Sequence, residues 1–538
     1  MDQFPIYLIL FGIIVIIGQV FRKSLTPITL ILVMTGMLLS FFPSFPQVVL
    51  NPNLVLNVFL PMLVYQISTS TSWVDIKKYR RPIALLSVGH VVFITCLVAW
   101  VIHTLIPELG WPLAFVLGAV VSPPDDVAIV TIAEKIRMPR VILTILEGEG
   151  LLNDATALII FRFALAALIT HEFMAIQAFT SFVTIVCCET AYGLLVGYLL
   201  GELRVRISNS ALHLIASLLT PFIAYIPAEM LGGSGILATV VTGFVIGNRY
   251  AVHYTPEFRL VSFAVWPALG FAIQNLLFLL VGLDMKNILY NISSIPFQSI
   301  ALYSAAIIAT VILGRFFWVY GCIYFLPRFL FPSIRKKDPL PPWQFPFITS
   351  WAGMRGSISL AAALAIPALP MLSNGANPQD LVVFLVFVII AATFLLQGLT
   401  LPWLLKVLDV SKYGKEEEYS EHLSELEARM LMINAALRWL LEYRKQIVDS
   451  PKLLDEVKLY ISEYLRLKRN LASGIKSHME NVAHDEKSEM RVEEFLLSQI
   501  VEVERSELMR LWKNQKININ IRNKLITRLD HHSRNLQG

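Results

Sequence analysis

The residues best suited to chemistry lie between Leu146 and Thr156. The run reads Leu146-Glu147-Gly148-Glu149-Gly150-Leu151-Leu152-Asn153-Asp154-Ala155-Thr156, inside an otherwise apolar stretch. On a helix, residues four and seven apart share a face. Glu147, Gly150 and Asp154 therefore stack on one face, and Glu149 with Asn153 on the neighbouring one. Other charges also sit in apolar surroundings: Asp125, Asp126, Glu189, Arg315 and Arg355, with Arg162 farther along the acidic helix. The acids outnumber the arginines, so some carboxylates pair and at least one does not. A paired carboxylate stays ionised, whereas an unpaired, half-desolvated one can hold a proton near neutral pH. Such a group takes a proton or a cation, but not both at once. The spacing assigns Glu149 to pairing, with Arg355 or Arg315, and Asp154 to exchange. The alternative for Asp154 is a structural, hydrogen-bonded aspartate.

The elements that must hold these groups follow from composition. The chain has 538 residues, 56% hydrophobic and 15% charged, with mean hydropathy +0.64. A soluble protein is about a quarter charged. Residues 411–538 hold 22 of the 44 basic and 21 of the 39 acidic residues. The chain is thus an apolar body, 1–408, followed by a polar tail, 411–538. A net charge of +5 without a basic, aromatic-interleaved patch excludes a nucleic-acid partner. Cys96, Cys187, Cys188 and Cys322 lack metal or framework spacing and read as packing residues. No phosphate-cradling glycine loop, zinc signature or nucleophile elbow occurs, so the chain reads as neither an enzyme nor an ATP-driven pump, and no cofactor is expected.

A membrane helix needs about 20 mostly apolar residues. Thirteen spans are expected, near 5–21, 26–42, 54–69, 83–106, 111–133, 142–169, 176–200, 209–228, 233–248, 260–284, 297–326, 343–367 and 381–408. Loops after odd-numbered spans carry 17 Lys and Arg, and those after even-numbered spans carry one, Lys286. The positive-inside rule then places the N-terminus outside and the tail in the cytoplasm. Two spans are built to break. The fifth carries Ser122-Pro123-Pro124-Asp125-Asp126, and the twelfth Gly353-Met354-Arg355-Gly356. Interrupted helices at mid-membrane line polar cavities. An offset of seven spans makes the two cross in opposite directions, the pattern of an inverted repeat with span seven as linker. Half-helix ends attract ions, and Asp125 and Asp126 sit where a carboxylate is a natural cap, while Arg355 could neutralise loose carbonyls. Glu189 is expected against a dimer contact or a lipid headgroup. In the tail, Leu423, Leu426, Met430, Ile433, Leu437 and Leu440 form a seam that wants a partner helix, for a plain bundle, for dimerisation or for regulation.

At these residues the chain resembles the NhaP-type Na+/H+ antiporters of the monovalent cation/proton antiporter family. The likeness runs over about residues 5–408. Its anchors are Ser122–Ala128, Glu147–Leu158, Phe278–Asp284 and Gly353–Ala361, in order and in the expected spans. The resemblance implies an all-α polytopic membrane protein of thirteen transmembrane helices, with an inverted repeat, two interrupted crossing helices and a helical cytoplasmic C-terminal domain. It implies a homodimer in the cell membrane, with lipid around it and monovalent cations and protons as substrates. Its activity would be secondary exchange of Na+, or Li+ or K+, for H+ by alternating access, serving pH homeostasis. Asp154 would bind cation or proton in turn, Asn153 would mark the electroneutral branch, and Asp125 would be the acid of the crossing. Glu149, Arg315 and Arg355 would form structural ion pairs. At the cation site Gln66, Pro124 and Gly150 stand where many relatives carry glutamate, threonine and serine; Gln66 keeps an oxygen ligand without the charge, and water or backbone could substitute for the lost oxygens. Those three positions and the long tail also fit a transport-inactive or channel-like relative acting as an interaction or sensing module.

Overall fold

The apolar runs fold as helices in the computed structural model. It describes residues 4–21, 28–42, 45, 52–125, 138–170, 175–292, 295–325, 341–367, 369, 371, 377–446, 451–472, 503–514 and 516–534. In chain order, α1 is Phe4–Val20 and α2 is Ile28–Ser40. α3 runs from Pro52–Leu54 through a π-turn at Val55–Phe59 into Leu60–Ser70. α4 is Arg80–Leu105 with a π-turn at Leu85–His90, and α5 is Gly110–Val121. α6 is Arg140–Thr170, α7 Ala175–Val205, α8 Ser210–Met230, α9 Ile236–Val245 and α10 Pro256–Leu283. α11 is Phe297–Phe317, α12 Gln344–Trp351, α13 Ser357–Leu364 and α14 Pro378–Val407. The tail holds α15, Val410–Gln446; α16, Pro451–Ala472; α17, residues 503–513; and α18, Ile519–Arg534. Every expected span overlaps described helix. Among the described residues seven helices are long and apolar enough to cross a membrane, and Ile6–Val20, Ile28–Ser40 and Pro107–Val121 are shorter apolar helices. Among the described residues there is no strand, only one isolated bridge between Pro124 and Arg355.

Contacts divide the chain into two units, residues 1–253 with 264–414, and residues 254–263 with 415–538. Within the first, α3, α7, α8 and α9 pack on one another, and α4, α5, α6 and α11 to α14 form a second group. Small residues let the backbones approach. A Cβ at Gly118 of α5 would strike the Thr95 carbonyl of α4. Leu151 and Ala155 of α6 meet Leu60, Tyr225 and Val240 in a dry seam between the groups.

Glu189 of α7 is buried, but neither lipid nor a second subunit accounts for it. Its carboxylate accepts from the amides of Ser234, Gly235 and Ala238 and from the Ser234 hydroxyl. It therefore caps α9 from a neighbouring helix, satisfying amides that a helix start leaves unpaired. Gly235, at φ +67°, supplies the left-handed turn into that helix. The cysteines also differ from expectation. Cys96, Cys187 and Cys188 are exposed on their helices rather than packed inside.

In the second unit the tail seam finds its partner within the chain. Ile433, Ala436, Leu437 and Leu440 of α15 pack on Val457, Tyr460, Ile461 and Tyr464 of α16. The side chains of Leu423 and Leu426 lie outside the described residues. Glu425 accepts from Arg429 at 2.5 Å, Lys524 at 2.8 Å and Arg528 at 3.4 Å, tying α15 to α18. Burial works to raise its pKa, but the hydrogen bonds from Lys524 and Arg429 outweigh that and hold it below its usual range.

Glu504 of α17 goes the other way: burial pushes it from 4.5 up to about 7, against a hydrogen bond with Tyr464 that lowers it. The folded tail thus binds this proton more tightly than the unfolded chain. Its contribution to stability is fully present below pH 4.5 and is lost as pH rises through about 7. The difference is on the order of 3 kcal/mol across that window. Hydrogen exchange of 451–472 and 503–513 in the full-length protein, corrected for intrinsic rates, should show protection falling from pH 5 to pH 8. Glu504→Gln should flatten that dependence. The same slope in both proteins would rule Glu504 out as its source.

Candidate functional site

Pro123 and Pro124 lack N–H groups, and α5 ends at Val121 just before them, with Ser122 as its cap. Gly353 and Gly356 separate α12 from α13. The two interruptions meet, and the Asp125 amide donates to the Met354 carbonyl at 2.7 Å. Backbone groups freed in this way need partners, since an apolar interior supplies none. Three side chains provide them. Arg355 donates to the carbonyls of Val121 at 2.5 Å and Gly353 at 2.6 Å. Arg315, from α11, donates to those of Thr349 at 3.1 Å and Ala352 at 3.4 Å. Asn153 Nδ2 donates to the Pro124 carbonyl at 2.8 Å. Thr393 of α14 adds a hydroxyl that accepts from the Arg355 amide at 3.2 Å.

The glycines make room for this arrangement. A Cβ at Gly353 would stand 2.6 Å from Arg315 Cδ, and one at Gly356 2.5 Å from an Asp125 carboxylate oxygen. Gly356→Ala should therefore displace the Asp125 carboxylate or the break beside it and cost about 1–3 kcal/mol of stability. A thermal scan in detergent measures this, and a wild-type melting temperature would show that the close approach at Gly356 is dispensable.

Of the expected ion pairs, one forms. Arg315 binds Glu149 bidentately, at 2.5 and 2.7 Å, with both side chains 1% exposed. His90, fully buried in the π-turn of α4, stands 4.0 Å from the same carboxylate. Arg355 makes no ion pair among the described residues. The carbonyls of the crossing take its donors instead, as suits a cation placed at a broken helix.

Asp154 stands apart from this network. It makes no hydrogen bond or ion pair among the described residues. It lines a cavity of about 10 Å³ with Val120, Pro123, Phe161, Ser359 and Ala362, at the threshold for one water. Asn153 Oδ1 is buried with no partner among the described residues. Gly150 is half-buried in α6, one turn before Asp154. Gln66 is not brought to the cavity. Its amide lies against Gly270 of α10, where any Cβ would collide with it. Pro124 contributes its carbonyl to Asn153. Asp126 and the second half of the fifth span lie outside the described residues. Thr349, Ser359, Phe161 and Thr393 join the site without any signal in sequence spacing.

A helical, multi-pass membrane protein is thereby defined, with two broken segments crossing beside an unpaired, half-buried carboxylate. The fold is similar to that of the sodium proton antiporter MjNhaP1 from Methanocaldococcus jannaschii, with TM-score 0.58 and 14% identity, over 75% of this chain and 98% of that one. Residues 7–407 match the family described as sodium/hydrogen exchanger, transmembrane, and the chain belongs to it. It is 32% identical over 396 residues to a sodium, potassium, lithium and rubidium/H+ antiporter of Bacillus pumilus, covering 70% of this chain and 57% of that protein. The chain thus spans somewhat over half the length of that relative. It is 27% identical over 460 residues to the low-affinity Na+/H+ antiporter NhaS1 of Synechocystis, covering 81% of this chain and 82% of the relative.

Proposed function

We propose that this chain is a secondary antiporter that exchanges a monovalent cation, Na+ or also Li+ or K+, for H+ across the cell membrane. The observation that carries the reading is the isolation of Asp154. The other strong charges of the crossing have partners, and this carboxylate faces a cavity instead. Deprotonated, it offers a cation two oxygens, and Asn153 Oδ1 and water can complete the shell. Protonated, it is neutral and the cation leaves.

Coupling follows from solvation. An ionised, empty carboxylate is costly to carry through an apolar seam, whereas the protonated or cation-bound form is neutral. Only the loaded site changes sides, so each cation that crosses returns a proton. Because Asn153 carries no charge, the exchange is one for one and electroneutral. The thirteen expected spans, the inverted repeat, an outer N-terminus, a cytoplasmic tail and a homodimer belong to this reading. The 17-to-1 distribution of basic loop residues and the opposed breaks in the fifth and twelfth spans support it.

The test is a proteoliposome assay with an imposed pH gradient and an internal pH dye, run with Na+, Li+, K+ and Rb+ at several pH values. Cation-dependent dissipation is expected, at a rate insensitive to a clamped membrane potential. No dissipation with any cation at any pH would remove the antiport reading. A strong response to voltage would remove electroneutrality alone.

A further inference from the structure

If Asp154 is to meet both sides of the membrane, α6 must shift against whatever stays still. Its ties to the rest of the molecule therefore decide where movement occurs. Those ties are unequal. α6 packs extensively on α5 and on the π-turn of α4, but sparsely on α9 and α3. The sparse side is the dry seam of Leu151 and Ala155. α6 has polar ties at both ends. At the C-terminal end Arg162 donates to Glu229 Oε1 of α8 at 2.7 Å and to the Gly233 carbonyl, across the seam. At the N-terminal end Arg140 pairs with Asp75 at 3.8 Å. The C-terminal tie is the one next to the Asp154 cavity.

The Arg162 end has the properties of a latch. Its receiving side is rigid, because Glu189 pins the Ser234–Ala238 amides beside Gly233. Its ion pair is part-exposed, with Arg162 35% and Glu229 32% exposed, against 1% for Arg315 and Glu149. A part-exposed pair costs less to break than a fully buried one. Phe161, the neighbour of Arg162, lines the Asp154 cavity. Arg162 itself lies eight residues beyond Asp154, about 12 Å along the helix.

We propose that Arg162 and Glu229 are positioning residues of the exchange cycle. Their contact holds the Phe161 end of the cavity shut, and it opens when Asp154 turns to that side. This rests on the antiport reading.

The test measures apparent KM for Na+ separately at each face, in vesicles of both orientations. Breaking the latch favours the state open at the Glu229 face. In Glu229→Gln and Arg162→Gln the ratio of the two KM values should shift by up to about fivefold, with Na+ bound more tightly from that face. Arg162→Lys keeps the charge and should stay near the wild-type ratio. The ratio does not depend on how much protein folds, so a purely structural role cannot move it. An unchanged ratio in both neutral variants overturns the latch. Wild-type vesicles that show no Na+-dependent proton flux overturn the antiport reading, and the latch with it.

Discussion

Asp154→Asn should abolish cation-dependent proton exchange while leaving the protein folded. Asparagine keeps the shape and one oxygen but cannot ionise, so the site loses both the proton it trades and the charge that holds the cation. The rate should fall by at least about a hundredfold, the equivalent of roughly 2.7 kcal/mol of lost transition-state or binding stabilisation. Folding should survive because the carboxylate supports nothing else. It makes no hydrogen bond or ion pair among the described residues, and its neighbours across the cavity are largely apolar. Removing its charge orphans no partner, so the melting temperature in detergent should stay within a few degrees of wild type. Two measurements settle the point together, a pH-dye flux assay and a thermal scan on the same preparation. Exchange at the wild-type rate would transfer the site elsewhere, with Asp125 the nearest alternative. Loss of flux accompanied by loss of folded protein would mean that Asp154 is structural.

Much of this site was legible in the sequence because its signals are local. The helical faces around Glu149 and Asp154 follow from residues within eight positions of each other, and the adjacent Pro123-Pro124 and the closely spaced Gly353 and Gly356 mark the two breaks. What the sequence could not supply was the choice among distant partners. Glu149 could reach either arginine by type, and only the packing of α11 beside α6 selects Arg315. Arg355 instead donates to the Val121 and Gly353 carbonyls freed at the two breaks. Glu189 is an acid in an apolar helix, and nothing near it in the chain reveals that the amides it satisfies lie about 45 residues away. The tail seam shows the same limitation. Three-four spacing says that a helix needs a partner, but not that the partner follows in the same chain after Pro451. Gln66 follows a motif by position alone, and its amide packs against Gly270 rather than lining the Asp154 cavity.

The Glu149–Arg315 pair should behave in the opposite way to Asp154. Arg315→Ala leaves an ionised carboxylate buried at 1% exposure and strips donors from the Thr349 and Ala352 carbonyls at the break. Breaking a buried pair from one side costs about 3–5 kcal/mol, a large share of the stability of most folds. Arg315→Ala should therefore yield little monodisperse protein, and what is recovered should melt well below wild type. Glu149→Gln should be milder, since Arg315 keeps its two carbonyls and glutamine still accepts a hydrogen bond. The double variant Glu149→Gln with Arg315→Met separates the two contributions. It removes the stranded charge but leaves the carbonyls unsatisfied, so its stability should fall between Arg315→Ala and wild type. If Arg315→Ala melted with the wild type, the guanidinium could not be what holds the broken segment in place. The crossing would then have to be held by Arg355 and Asn153 alone, which satisfy the Val121, Gly353 and Pro124 carbonyls but not those at the end of α12.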